Sequence, residues 1–422
     1  MKRLMALLLT LALVPTLCGC STVYTNYREM EQLLVLQTMG LDHADSGGVV
    51  LSLASGSASG KRTEPVRLRM TGATIASALS RAQNYSFEES LFFSHMDAVV
   101  LGEEYAKRGT VDCVDYICQS PRLRVDMPIY IVKGGTAETA LLNTGDDSAG
   151  ISELLRGVRE YYDVRGDGSV YTVSDFARDT LRHGAALICA LELTPSVQQS
   201  SAKQQSTTGL DEGADTEGSA DAADSTGTDS ASAAPVGERL TAAAAGYAVM
   251  RDMKLCAYIG LDDALGVSFL KNTVGQSDIV VTDRHGYNVT LEINDGGCKI
   301  TPRWASDGTL SRIDIAARAD ATVLEADGAA NFAGAEYTDH LTAQLESYIS
   351  ERISRILRLA GTLEADFVGL GAAIEQSSPI NWAVMSAAFP SMLAGLEVRV
   401  TVNGQITHTN DTRRTVQRGV NT

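Results

Sequence analysis

Residues Gln199–Val236 read QSSAKQQSTTGLDEGADTEGSADAADSTGTDSASAAPV, and their composition decides how the rest of the chain divides. Leu210 is the sole large aliphatic residue before Val236, and seven acidic residues stand against Lys203 alone. Such a segment cannot bury enough apolar surface to offset its ordering entropy. An acidic, Ser/Ala/Gly-rich disordered linker is therefore expected over 199–238, with an N-terminal domain over 20–198 and a C-terminal domain over 239–412. The C-terminal part is open to a further division into 239–305 and 306–412, and 413–422 reads as a flexible tail.

Working outward toward the N-terminus, strands alternate with helices. Leu33–Asp42 reads as a strand ending at a glycine, and Gly48–Ala54 as its hairpin partner after a Gly-rich turn. Ile75, Ala78, Leu79 and Ala82 have helical spacing within Thr74–Ala82, and Asp97–Gly102 is a short apolar run of the kind a buried strand needs. A helix over Val111–Cys118 and a strand over Pro128–Val132 follow. The order predicts an α/β unit on a central sheet.

Beyond the linker the pattern changes to paired strands: Ala245–Met250 with Leu255–Tyr258, then Ser277–Thr282, Asn288–Ile293, Lys299–Pro302 and Ile313–Leu324. Antiparallel sheet is the expected outcome. Leu341, Leu345, Tyr348, Ile349, Ile353, Ile356, Leu357 and Ala360 line one face of a helix over Thr338–Leu359, with Gly361 placed as its C-cap. That helix should cover the sheet. Leu396, Val398, Val400 and Val402 alternate with polar residues as a last, half-buried strand. The expected fold class is α+β, multi-domain: an N-terminal α/β part and a C-terminal antiparallel sheet under a long helix.

The first twenty residues carry a different signal. Lys2 and Arg3 precede the apolar run Leu4–Val14, and Leu17-Cys18-Gly19-Cys20 follows. The run is too short for the roughly 20 residues of a spanning helix, and small Gly19 before Cys20 suits a lipoprotein signal peptidase. Residues 1–19 are expected to be removed and Cys20 to carry a diacylglyceryl anchor. At about 0.8 kcal/mol per buried methylene, two acyl chains hold a protein stably at a membrane where one is marginal.

The formal net charge of −17 excludes nucleic acid as a partner, because a phosphate-binding surface needs clustered Lys and Arg. It also means that the acyl chains, and not a basic patch, must hold the chain at an anionic membrane. Cys113, Cys118, Cys189, Cys256 and Cys298 are an odd number without Cys-x-x-Cys spacing, and buried free thiols are the favoured reading, a disulfide being open but not required.

A search for chemistry ends empty. His43, His95, His183, His285, His340 and His408 are dispersed, so no metal spacing arises. Ser94-His95 beside Asp97 lacks a nucleophile elbow, and His95 reads as a structural, hydrogen-bonding residue. Tyr161-Tyr162 and the turn Arg165-Gly166-Asp167-Gly168 read as a surface loop with too few oxygens for calcium. Gly134-Gly135 and Gly369-x-Gly371 lack the full dinucleotide-binding context. No catalytic residue, cofactor or metal is expected.

The order of short motifs resembles the Ger(x)C family of spore germination lipoproteins over almost the whole chain. Behind the lipobox come Arg28-Glu29, Gly40-Leu41-Asp42, Phe93-Ser94-His95 and Gly102-Glu103-Glu104-Tyr105-Ala106. Past the linker come Gly246-Tyr247-Ala248-Val249-Met250 with Lys254-Leu255 and Gly260-Leu261, the long helix, Asp366-Phe367-Val368-Gly369-Leu370-Gly371, Trp382 and Phe389-Pro390. Ser21, where that family usually places an aromatic residue, and the acidic linker are departures. The resemblance implies a non-catalytic C subunit of a nutrient germinant receptor, partnered by integral-membrane A and B subunits. Its place would be extracytoplasmic, lipid-anchored at the outer face of the spore inner membrane. The alternative from another class is a substrate-binding lipoprotein of a transporter, which would need two doubly wound lobes about a hinged cleft.

Overall fold

A computed structural model describes residues 33–56, 65–85, 90–144, 150–165, 168–195, 240–327 and 335–407. The expected signal peptide, the linker and the tail lie outside them. Two sheets organise the molecule.

The first sheet is built around a parallel centre. Strands β1 (Leu33–His43) and β2 (Val49–Ser55) form the expected hairpin, which β3 (Arg67–Gly72) extends, and α1 (Ile75–Tyr85) follows. A short β4 (Ser90–Phe92) runs beside the start of β1, and β5 (Ala98–Gly102) leads into α2 (Glu103–Arg108) and α3 (Val111–Gln119). Then come β6 (Ile129–Val132), α4 (Ala137–Asn143), α5 (Ile151–Arg165), α6 (Val173–His183) and β7 (Ala185–Pro195). The order across the sheet is β3-β2-β1-β5-β6-β7, with β1, β5, β6 and β7 mutually parallel. Helices cover both faces, so β2, β5, β6 and most of β7 are buried along their length and read as continuous apolar runs.

The first correction concerns the strands after the linker. β8 (Leu240–Arg251) and β9 (Lys254–Ile259) form the expected hairpin, closed by a two-residue turn with positive φ at Asp252 and Met253. They do not open the C-terminal sheet. β8 pairs antiparallel with β7 from Ala185↔Arg251 to Pro195↔Leu240, so the hairpin completes the first sheet. The sheets therefore part near residue 260, later in the chain than the compositional break at 199–238. The reason is burial: Ala185–Leu191, the first seven residues of β7, are buried, and the buried run Ala245–Met250 of β8 pairs along them.

The second sheet has the order β10 (Ser277–Thr282), β11 (Asn288–Trp304), β12 (Leu310–Ala326), β13 (Glu397–Thr407). The two segments expected at 288–293 and 299–302 are one long strand, β11, whose register shifts between Ile293 and Asp295. The all-antiparallel expectation is corrected at β13, which runs parallel to β12 from Arg312↔Glu397 to Thr322↔Thr407. A long crossover makes this possible: α8 (Ala335–Leu363), α9 (Leu370–Ser377), α10 (Pro379–Met385), α11 (Phe389–Met392) and a 3-10 turn at Leu393–Gly395 lie between the two strands.

As expected, α8 covers this sheet. Leu341, Leu345, Ile349, Ile353 and Ile356 are buried, each contributing about 1.5–3 kcal/mol over an exposed position. Gly361 does not cap the helix, which continues to Leu363. A Schellman closure runs instead through Glu364 (φ 48°), with Ala365 N–H donating to the Ala360 carbonyl and Glu364 N–H to that of Gly361. Gly361 is small for another reason: the backbone of Ala394 passes 3.2 Å from where its Cβ would stand.

The sheets meet in one shared cluster, while most of the first sheet packs in two clusters of its own. Ala185, Leu187, Tyr247 and Val249 of the first join the cluster formed by α7 (Leu261–Lys271), α8 and the second sheet. Arg251 from the β8–β9 turn also donates to the Leu363 carbonyl at the end of α8, at 2.6 Å.

Candidate functional site

The motif residues singled out in the sequence gather at helix entrances and glycine turns. At the carboxyl end of β1, buried Asp42 accepts hydrogen bonds from Ala137 N–H at 2.9 Å and Glu138 N–H at 2.7 Å, and Thr136 Oγ1 accepts from Thr139 N–H. Three orphan donors of α4 are thereby satisfied, two by a carboxylate 95 or more residues away and one by the helix's own N-cap. Burial pushes the Asp42 carboxyl above its usual range, against the pull of those two N–H groups. Gly102 ends β5 beside this carboxylate, and a Cβ there would collide with Asp42 Oδ1.

One residue on, Glu103 collects three donors. Gly134 N–H bonds to its Oε2, the Tyr258 hydroxyl donates at 2.9 Å, and Lys107 Nζ stands 2.7 Å away. Burial pulls against ionisation of Glu103, and the bonds from Lys107, Gly134 and Tyr258 overcome it, holding the carboxyl below its usual range. Tyr258 belongs to β9, so the sheet curls until its last strand reaches the helix behind β5.

In the second half Asp366, 2% exposed, repeats the device. Its Oδ1 accepts from Gly369 and Leu370 N–H at 2.9 Å each, and its Oδ2 from Gly371 N–H at 2.6 Å. Gly369 takes φ 88°, and the Trp382 ring lies where a Cβ on Gly371 would stand. The chemistry at both glycine turns is thus settled. The N–H groups that would cradle a phosphate, at Gly134 and at Gly369–Gly371, are already held by the chain's own carboxylates.

Other expectations are corrected. Tyr162 is not in a surface loop: it is buried on α5, its hydroxyl donating to the Gly246 carbonyl at 3.2 Å and its ring stacked on Tyr247. Helical periodicity through Leu155, Val158 and Tyr162 could have found this. His95 is exposed in the turn before β5, with its ring 5.5 Å from that of Phe92, and among the described residues its side chain makes no hydrogen bond. Buried thiols are found at Cys113 and Cys189, both pushed by burial to about 12; Cys298 is half-buried and raised to about 11. Cys118 and Cys256 are exposed, being on the outer faces of α3 and the edge strand β9. All five are free. Gly19, Cys20, Arg28 and Glu29 lie outside the described residues. Among the described residues no His/Cys/Asp/Glu group is arranged to hold a metal, and no helix is long and apolar enough to cross a membrane.

Comparison with known families then decides the assignment. A family described as spore germination protein N-terminal domain matches residues 26–193, and one described as spore germination B3/GerAC like, C-terminal matches residues 245–410. The chain is a Ger(x)C family spore germination protein. The crystal structure of the GerBC protein matches with a TM-score of 0.51 at 13% identity, covering 87% of this chain and 96% of that one, which shows the shared fold. No curated protein matches the sequence. The family assigns this Ger(x)C protein a role in spore germination, and in its fold Asp42, Glu103 and Asp366 act as clamps through the hydrogen bonds described above.

Proposed function

We propose that this Ger(x)C protein is the lipid-anchored C subunit of a nutrient germinant receptor, supporting germination by binding or scaffolding and without catalytic turnover. The single observation that carries this reading is the family match over both halves of a chain headed by the lipobox Leu17-Cys18-Gly19-Cys20. Cleavage between Gly19 and Cys20 and diacylglyceryl modification of Cys20 would confine the protein to the extracytoplasmic face of a membrane, at the outer side of the spore inner membrane. Tethering raises its effective concentration near integral-membrane A and B subunits, so a weak contact with them suffices. No metal or cofactor has a part in this reading.

The test is nutrient-triggered loss of optical density in spores lacking the gene, in spores complemented with it, and in spores carrying Cys20→Ala. A defect restricted to particular nutrients and restored by the native gene is expected. Cys20→Ala should release the protein from the membrane fraction and weaken the response. Normal germination without the gene, in a strain with no second receptor for the same nutrient, would sink the receptor reading; an unchanged membrane fraction for Cys20→Ala would sink the anchor.

A further inference from the structure

Four short side chains form one row across the first sheet beneath α5. Ala54 stands opposite Thr38, Thr38 beside Ala98, and Ala98 beside Pro128, on the face where Ala54 and Ala98 cluster with Ile151 and Leu155 of the helix. No long side chain rises from this row to fill the space next to Leu155. A cavity of about 270 Å3 results, with Tyr130 and Leu155 as walls and Asp97, Ser152, Arg156 and Arg159 as its polar lining. That is just below the roughly 300–1,000 Å3 of sites for drug-sized molecules, so the space suits a smaller one. Thr38, next in the row to the cavity's Ala98, is fully buried, and its Oγ1 has no hydrogen-bond partner among the described residues.

The charges of this cavity select the occupant. Asp97 and Arg156 are both exposed to solvent, and neither forms an ion pair with the other or with any described residue. Their charged neighbours do not answer them: Arg124 and Asp126, within electrostatic reach of Asp97 and Arg159, hold each other through two bonds of 2.9 and 2.6 Å. An anion in the cavity would meet the Asp97 carboxylate, and a cation would meet the guanidinium groups of Arg156 and Arg159. A neutral molecule would take both kinds of charge out of water without pairing either, which is costly. A molecule carrying one charge of each sign pairs both, and guanidinium with carboxylate is among the stronger of such contacts.

We propose that the cavity between α5 and the amino ends of β5 and β6 binds a small zwitterion of the amino-acid type. Its carboxylate lies on Arg156, its ammonium on Asp97, and its apolar part against Tyr130 and Leu155. The inference needs neither the acyl anchor nor the receptor partners, because the cavity is complete within this chain.

The test is isothermal titration calorimetry on the full lipidated chain in detergent micelles. The probes are the common L-amino acids, β-alanine and γ-aminobutyrate, with propionate and propylammonium as molecules of one charge each. At least one zwitterion should bind about ten-fold or more tightly than either one-charge probe, since each lacks one charge-assisted hydrogen bond. Asp97→Asn and Arg156→Gln change exposed side chains and should fold as the parent does, which circular dichroism checks. Each should weaken the zwitterion about ten-fold or more. The two variants should part on the one-charge probes: Asp97→Asn strengthens propionate by removing a like charge, and Arg156→Gln strengthens propylammonium for the same reason. No zwitterion with a dissociation constant below about 10 mM would overturn the proposal, as would binding that neither variant weakens. Propionate bound as tightly as every zwitterion, with Asp97→Asn without effect on the zwitterions, would overturn it in favour of a plain anion site. None of these outcomes bears on the anchor or the germination phenotype, which the spore experiments decide separately.

Discussion

The two sheets solve the same burial problem in opposite ways. β5 and β6 of the first are buried at every residue because helices lie on both faces, whereas β10 of the second alternates buried and exposed along Ser277–Thr282, one face under α8 and the other in solvent. A two-sided sheet is read in sequence as a short apolar run that says nothing about which side a helix takes. A one-sided sheet writes its orientation into its alternation. The parallel centre needs crossovers, and its turns are clamped from afar by Asp42 and Glu103; the second sheet needs one such crossover, and its clamp, Asp366, is local, bonding amides three to five residues on.

The comparison holds only if the sheets fold as one body, and the largest predicted effect breaks that unity. Tyr247 lies in the shared core, stacked on Tyr162 and edge-on to Tyr171. Tyr247→Ala should destabilise by about 3–5 kcal/mol, and thermal unfolding followed by circular dichroism should split into two transitions. A single transition shifted by less than a degree would show that the sheets are independent of this contact.

The clamps come next. Asp366→Ala leaves three backbone N–H groups without their acceptor and Asp42→Ala leaves two, each expected to lose about 1–3 kcal/mol in urea denaturation. If either variant unfolds at the parent's midpoint, that carboxylate is not what holds its helix entrance.

A matched pair sharpens the two-sided against one-sided distinction itself. Val100→Thr puts a hydroxyl between sheet and helices and should lose about 1–3 kcal/mol. Val280→Thr, on the open face, should stay within about 0.5 kcal/mol. Equal losses in urea midpoints would mean that the outer face of the second sheet is covered in solution.

The smallest effect is the pH dependence at Glu103. Its folded carboxyl titrates below the usual value of 4.5, so its contribution is present above that pH and is lost as the pH falls through the lower folded value. Melting temperatures between pH 6 and pH 3 should fall less steeply in Glu103→Gln than in the parent, by about 1 kcal/mol overall. Parallel curves would show that the bonds from Lys107, Gly134 and Tyr258 contribute nothing to stability.

Much of this fold was legible as pattern. The helix under the second sheet could be read from Leu341, Leu345, Ile349, Ile353 and Ile356, and the hairpin β1–β2 from two apolar runs about a Gly-rich turn, because both are local periodicities. The Ger(x)C motifs could be read as an order but not as a mechanism: Asp42 and Ala137 stand 95 residues apart, and no spacing rule connects them. Tyr162 was misread because the turn-like sequence Arg-Gly-Asp-Gly beside it outweighed its helical phase.

What the sequence determined by itself is a part of the elements, the hairpin β1–β2, the strands β5 and β6 and the long helix α8 among them, with their apolar faces, the charge of −17 and the family, since these follow from composition, local period and motif order. What only the tertiary structure decided is partnership. β8 and β9 join the sheet before the linker, β13 returns parallel to β12, and Asp42, Glu103 and Asp366 turn inward to hold the chain's own amides. The strand pairings and the bonds of Asp42 and Glu103 are a competition among distant edges and donors, and that of Asp366 a local one, settled by which pairing buries the most apolar surface and leaves the fewest amides without a partner.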